Sequence, residues 1–537
     1  MSVPAKAFIE VPAVPLLEMT SIELLAWAAE QAPDQIAVKQ PFEGFGEEIV
    51  WTYSEYLADA RRIASYLSTF YSFGDHVAIW ATNSGPWLLY EFAAAHLGLV
   101  LVTMNPASRP AELDYMLTKS RAKGIIMDRS YRGQDLVQAV ADLRGRLPDL
   151  AHIHYLDEWR DQVEQGSDDI APSTTRPDDP GLIVFTSGTT GKPKAAILHH
   201  RGIVNNPKIA TERLGLAPKT IWLASLPTFH VGGTVTMSMG AVSNLGTQII
   251  MPAFQPEIIL RLIEKERINY SALVPAMVAG LVEHPDFKTT DLSSFHHLQV
   301  GGTVITPAFV KLVRQELGCD VQVVLGQTEC CAEITKTLRG DPDEAIEETV
   351  GVPFPGTSLK ISDPVTGETK NIGEVGEIRL LSPYATYGYF GDPEATEALF
   401  DEDGFLRTGD LGSIDENGRL RMNGRLKEVI IRGGENIYPR EVEDAIAEYP
   451  GISECAVFAV PHPRWGEEVA AALRLNAPGV EPADVREFLL LQLARHKVPK
   501  HWMIVEEFPR NTSGKVQKFE LQRLFAERAE KNADRTG

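Results

Sequence analysis

The chain has 537 residues, of which 44% are hydrophobic and 23% charged; this balance excludes disorder as the dominant state and leaves room for about two to four domains. Its 51 basic and 73 acidic residues give a net charge of −22, which argues against nonspecific nucleic-acid binding, because that needs basic surface to displace counterions. The four cysteines, Cys319, Cys330, Cys331 and Cys455, have no C-x-x-C spacing and are too few for a disulfide framework, so a reducing compartment is expected.

Met1 to Glu10 lacks a basic region followed by an apolar run, and no signal peptide is expected there. The longest apolar stretch, Phe92 to Val102, is interrupted by His96 and is too short to span a bilayer. A cytoplasmic, soluble protein with no integral membrane segment is the expectation. From His76 onward, apolar runs alternate with helix-like segments. His76 to Trp80 reads as a buried strand, Trp87 to Gly98 as helix, Leu99 to Thr103 as strand, Ala111 to Ser120 as helix and Ala122 to Met127 as strand. The rhythm returns at Thr247 to Met251, Pro256 to Arg267 and Tyr270 to Val274, and again at His297 to Val300, Pro307 to Leu317 and Val321 to Leu325. Such alternation predicts βαβ units and parallel sheet. After about residue 345 Gly and Pro become frequent and strands shorten, as in Gly376 to Leu381 and Gly418 to Met422, which reads as a smaller β-rich module. Beyond Arg425 comes a compact α+β pattern: strand Glu428 to Ile431, helix Pro439 to Glu448, strands Glu454 to Val460 and Val469 to Leu475, and helix Pro482 to Leu493. The predicted domains are 1–424 and 425–537.

Chemistry concentrates in a few segments. Thr186, Ser187, Gly188, Thr189, Thr190, Gly191, Lys192, Pro193 and Lys194 follow the apolar run Leu182 to Phe185. A strand followed by hydroxyls, glycines and lysines suits an oligophosphate, since glycines let backbone N–H groups approach the oxygens and lysines neutralise charge. It is not a Walker A loop: only Thr189 and Thr190 separate Gly188 from Gly191, and Pro193 stands where Ser or Thr should be. Leu325-Gly-Gln-Thr-Glu329 places Thr328 and Glu329 at a strand's carboxyl end, where α/β proteins bind ligands. Thr408-Gly-Asp-Leu411 puts Asp410 in an exposed turn, able to accept from paired sugar hydroxyls. Gly424 to Glu428 opens the last domain, and Pro509 to Lys515 forms a late Gly-containing loop.

In this order and spacing these segments resemble the adenylate-forming superfamily, from Trp51-Thr-Tyr-Ser-Glu55 to Lys515. Tyr389-Phe-Gly-Asp-Pro-Glu394, Ile431 to Val442 and Asn105 to Leu113 look most like its medium- and long-chain acyl-CoA synthetase branch. The resemblance implies an α/β fold: a large N-terminal domain of βαβ layered sheets plus a small β-rich module, then a mobile α+β C-terminal domain. It implies a carboxylate attacking the α-phosphorus of ATP, followed by thiolysis of the acyl-adenylate by coenzyme A. Thr186, Ser187, Gly188, Thr189 and Thr190 would wrap the leaving phosphates, with Lys194 adding charge. Glu329 would hold magnesium, Gln327 and Thr328 would lie along the nucleotide, and Thr328 would donate to the α-phosphate. Asp410 would accept from the ribose, supported by Arg425; Gly302, Thr303 and Val304 would form the adenine wall, and Gly326 would also lie in the nucleotide site. Lys515 would bridge carboxylate and α-phosphate. Lys427 would be the hinge, and Gly433 and Gly434 would pass a pantetheine arm. His230 would gate between acyl pocket and thiol tunnel.

The pattern departs from the family at Leu325, where an aromatic usually stacks on adenine, and at Ile431 and Gly433, where some relatives carry lysine. Cys330 and Cys331 read as packing residues, with alkylation sensitivity as the alternative. Segments around Val231, Gly232, Met237, Met277, Gly301 and Gly326 would line the acyl pocket; none carries a charge and their glycines leave room. An apolar medium-chain, aryl or alicyclic acid is therefore expected. The expected cofactors and partners are ATP, Mg2+, CoA and a small carboxylic acid; a homodimer is compatible with this reading. An acyl-AMP ligase loading a carrier protein, or a catalytically silent nucleotide- or acyl-binding protein, are the alternatives.

Overall fold

A computed structural model describes residues 5–186, 193–302, 305, 307–510 and 516–534. Two sheets of largely parallel strands carry the first two thirds of the chain. The six-stranded sheet runs, in spatial order, Lys194–His199, Pro180–Thr186, Val100–Met104, His76–Trp80, Gly124–Met127 and His152–Tyr155. Only its Lys194–His199 edge is antiparallel to its neighbour. The nine-stranded sheet has Asp320–Gln327, His297–Val300, Tyr270–Leu273, Ile221–Ala224 and Thr247–Ile250 as its parallel centre.

The connecting helices follow the predicted alternation, because each strand buried on both faces reads as a short apolar run. Pro307–Leu317 begins and ends where the periodicity puts it, and Pro256–Glu266 lies within one residue of it. Helix Gly85–Leu97 is buried on every side from Gly85 to His96, Glu91 included, and belongs to the largest core cluster together with strands of both sheets. Trp51–Glu55 spans a strand end and a helix start: Thr52, the last residue of strand Ile49–Thr52, caps Tyr53–Leu67, and Glu55 completes the capping box.

The β-rich module is a five-stranded antiparallel sheet of Phe8–Glu10, Ser358–Ser362, Gly376–Leu381, Leu406–Ile414 and Leu420–Arg425. The last sheet contains Glu435–Ile437, Ile430–Arg432, Gly466–Leu475 and Ile452–His462, with His501–Ile504 pairing parallel to Gly466–Leu475. Its helix Pro439–Ala447 reaches back to the preceding part of the chain, where Arg440 Nη2 donates to the Ile305 carbonyl at 2.9 Å. Among the described residues no helix is long and apolar enough to cross a membrane.

Candidate active site

The strands His297–Val300 and Asp320–Gln327 run parallel with Val300 opposite Val323, so Gly301–Gly302 leave the sheet beside Val324, and the second strand runs on to Gln327 before Thr328–Glu329. Strand Pro180–Thr186 turns back into Lys194–His199, and Thr186 pairs directly with Lys194 across the hairpin. The two residues therefore form the base of the hydroxyl- and glycine-rich loop. Ser187, Gly188, Thr189 and Thr190, like Thr303, Val304 and Lys515, lie outside the described residues.

Glu329 sits in a single 3-10 turn, Thr328–Cys330, and is 5% exposed. Its Oε1 accepts from the Tyr389 hydroxyl at 2.7 Å, and its backbone carbonyl accepts from the Thr386 N–H at 2.7 Å. Burial, and then the Glu329 charge, push the Tyr389 phenol far up, so it remains a donor. The Lys194 ammonium lies 4.7 Å from the centre of the Tyr389 ring. Gln327 reaches the Thr408 carbonyl at 3.5 Å through Nε2, while its buried Oε1 has no hydrogen-bond partner.

Asp410 corrects the sequence expectation. It is 5% exposed and lies within strand Leu406–Ile414, not in an exposed turn. Thr408-Gly409-Asp410 imitates a turn because Gly409 takes φ +70 at a shift in the ladder with Gly376–Leu381. Asp410 pairs across to Arg425, with Nε 3.1 Å from Oδ1. Two residues on, Lys427 occupies the 3-10 turn Leu426–Glu428. Partial burial, then neighbouring Arg425 and Lys194, hold its ammonium below the usual lysine range. Three cations thus converge on the region of Asp410, an electrostatic arrangement suited to an anionic ligand.

Gly433 and Gly434 are the tip of a two-residue hairpin between Ile430–Arg432 and Glu435–Ile437. Their φ values of +62 and +90 suit such a turn, and a Cβ on Gly433 would come within 2.8 Å of the Trp465 ring. Lys518, three positions beyond Lys515, is bound by Glu428 at 2.9 Å and Glu443 at 2.8 Å. It ties the start of helix Lys518–Asp534 to the residue after Lys427.

The segment after His230 is a π-helix, Gly232–Met239, a form that tends to mark functional sites. His230 precedes it in a turn, where its Nδ1 accepts from the Gly232 N–H at 3.3 Å. Val231 and Met237 are buried, Met237 against Trp222 and Tyr270, while Met277 is half-buried on helix Pro275–Val282. The glycines leave less room than expected. A Cβ on Gly301 would lie 2.5 Å from Val324 Cγ2, and one on Gly326 would lie 2.3 Å from the Ala332 carbonyl. Both therefore permit close strand approach, whereas a Cβ on Gly302 would make ordinary contact, 3.6 Å from Val274 Cγ1. Gly232 falls between, 3.2 Å from Leu226 Cδ1.

Charge near this region was missed by sequence reasoning. Gly326 pairs with Glu333, whose carboxylate lies 3.0 Å from the fully buried Lys336 ammonium. Gln299 bridges them, donating to Glu333 at 2.8 Å and accepting from Lys336 at 2.7 Å. Burial holds the Lys336 ammonium below its usual range despite Glu333. Cys330 and Cys331 are buried and their thiols pushed up, mainly by burial, which supports a packing role. Leu325 is half-buried in the cluster that also holds Cys330.

Behind the π-helix, Thr234 donates to Glu91 at 2.5 Å, and burial pushes the Glu91 carboxyl up to about 8. The folded chain therefore keeps a proton that the unfolded chain loses as pH rises above its ordinary value of 4.5. Unfolding free energy should fall as pH rises from there to about 8, by about 3 kcal/mol at pH 7 from this group. Glu91→Gln is expected to remove that part of the slope in urea unfolding between pH 5 and 8; equal slopes for the two proteins would refute the assignment.

Residues 25–390 match the family model described as AMP-binding enzyme, and residues 441–515 match the AMP-binding enzyme C-terminal domain. The YngI protein of Bacillus subtilis (strain 168) is 33% identical, covering 94% of this chain and 97% of its own length. The mitochondrial medium-chain acyl-CoA ligase ACSF2 of Mus musculus is 32% identical, covering 94% and 88%. Crystalline ATP-bound MatB from Rhodopseudomonas palustris superposes with a TM-score of 0.85 at 30% identity, covering 94% of this chain and 99% of that one. The chain belongs to the AMP-binding enzyme family and is a ligase of its adenylate-forming, acyl-CoA synthetase branch.

Proposed function

We propose that the chain is an ATP-dependent acyl-CoA synthetase for an apolar medium-chain, aryl or alicyclic acid, working through an acyl-adenylate. The observation that carries this reading is the convergence of Glu329, Lys194, Asp410 and Arg425 from three different sheets: Glu329 and Lys194 share Tyr389, Asp410 pairs with Arg425, and Lys427 feels the charges of Lys194, Arg425 and Asp410. Joining a carboxylate to a triphosphate brings two anions together, so positioning and positive potential supply most of the catalysis. Thr186 and Lys194 would hold the leaving phosphates at the base of their loop. Asp410, oriented by Arg425, would accept from the ribose hydroxyls. Thr328 would donate to the α-phosphate, and Gly302 would border the adenine.

Glu329 fits a magnesium ion carried by the nucleotide. It offers a buried hard oxygen donor, and among the described residues no cluster of three or more His, Cys, Asp or Glu could hold a metal ion. When bound, magnesium would neutralise phosphate charge. His230 would stand between the acyl pocket and the CoA thiol as a positioning group, since a thiol needs little activation. Domain 425–537 would turn at Lys427 between the two half-reactions. The ACSF2 name and the uncharged segments Val231–Met237 and Val274–Met277 favour an apolar acid.

The test mixes protein, ATP and magnesium with a pool of fatty, aryl and alicyclic acids, with and without CoA, and reads products by mass spectrometry. Acyl-CoA together with AMP is the expected result. Adenylate or AMP without acyl-CoA would transfer the assignment to carrier loading, and intact ATP throughout would overturn it.

A further inference from the structure

Tyr389 entered the sequence reading only as part of a family resemblance, yet it touches two residues of the site from different sheets. Its hydroxyl donates to Glu329 Oε1 at 2.7 Å, and its ring receives the Lys194 ammonium at 4.7 Å. The side chain is held from behind. The Tyr389 N–H donates to Thr396 Oγ1 at 2.9 Å, and Tyr389 bridges in antiparallel fashion to Ala196. At the preceding Gly388, a Cβ would fall 2.3 Å from Thr396 Cγ2, so the chain approaches helix Pro393–Leu399 as closely as a glycine allows. Tyr389 itself is 8% exposed.

We propose that Tyr389 is a positioning residue that fixes the Glu329 carboxylate for the nucleotide-bound divalent cation and holds Lys194 beside it. The inference rests on the reading of Glu329 as the cation's protein ligand. With Oε1 committed to the phenol, the carboxylate cannot rotate freely, and its second oxygen is left to face the ion. A partner of this kind sets ligand orientation without touching the metal, and its loss typically costs about ten- to a hundredfold in metal affinity. The ring face acts separately: it restrains a flexible four-carbon side chain whose ammonium would otherwise sample many positions.

The test uses the full chain with a non-hydrolysable ATP analogue and Mn2+, followed by the loss of free Mn2+ signal in electron paramagnetic resonance. Tyr389→Phe is expected to weaken Mn2+ binding about tenfold while leaving metal-free nucleotide affinity and ligand-free melting close to wild type. Tyr389→Leu should also weaken metal-free nucleotide binding, because Lys194 loses its ring. In a double-mutant cycle, adding Tyr389→Phe to Glu329→Gln should cost nothing further. Unchanged Mn2+ affinity in Tyr389→Phe, with loss in Glu329→Gln, would overturn the inference alone. No loss in Glu329→Gln would instead remove the reading of Glu329. A collapse of ligand-free melting in Tyr389→Phe would assign the residue to the fold and overturn the inference as well.

Discussion

Lys515→Ala is expected to slow acyl-adenylate formation by about a hundred- to a thousandfold, the usual loss when one charged stabiliser of a transition state is removed, and to spare thioester formation from preformed adenylate. The proposed role explains the asymmetry. Negative charge gathers between carboxylate and α-phosphate only in the first half-reaction, so a lysine there lowers that barrier and has no comparable charge to meet in the second. On either side of 511–515, Arg510 and Val516 bridge in antiparallel fashion, and Lys518 is anchored between Glu428 and Glu443. Single-turnover measurement of each half-reaction is the check. Equal loss in both would mean that Lys515 acts on the fold or on nucleotide binding instead.

Lys427→Pro is expected to change the ratio of the two half-reaction rates at least about tenfold, because a hinge that must turn between steps loses its φ freedom. Lys427→Ala should leave that ratio within about threefold by the same argument. Proline is accommodated by the φ of a 3-10 turn such as Leu426–Glu428, so the observed conformation should survive while any rotation about it is blocked. The link from Lys518 to Glu428 makes the helix that follows Lys515 travel with whatever turns at Lys427. A proline variant with an unchanged ratio would place the hinge elsewhere.

Local structure was legible in the sequence, and distant pairing was not. His297–Val300 and Pro307–Leu317 were found to the residue, since an apolar run and a proline-started amphipathic helix carry their own signals. Nothing in Phe8–Glu10 announces that it pairs with Ser358–Ser362 some 350 positions later. Asp410 was found as a functional candidate but misplaced, because a bulge glycine and a turn glycine look alike in sequence. Gly301 and Gly326 were read as space when the neighbouring strand fills it. The Glu333–Lys336 ion pair escaped because both side chains lie on Ala332–Lys336, a strand whose apolar setting only its non-local partners create. Tyr389 and Glu329 are 60 positions apart, and only the packing of two modules makes them neighbours.

The four free cysteines have a practical consequence. Cys319, Cys330 and Cys331 are buried, and burial raises all four thiols, Cys319 up to about 12. Maleimide chemistry needs an accessible thiolate, so these native sites should react slowly. Cysteines introduced at Asp343, on one side of Lys427, and at Leu491, on the other, both with side chains largely in solvent, would then take a donor and acceptor dye with little background. The natural chain is therefore ready, without a cysteine-free redesign, for fluorescence measurement of the distance between the two proposed domains as ATP, acid and CoA are added in turn.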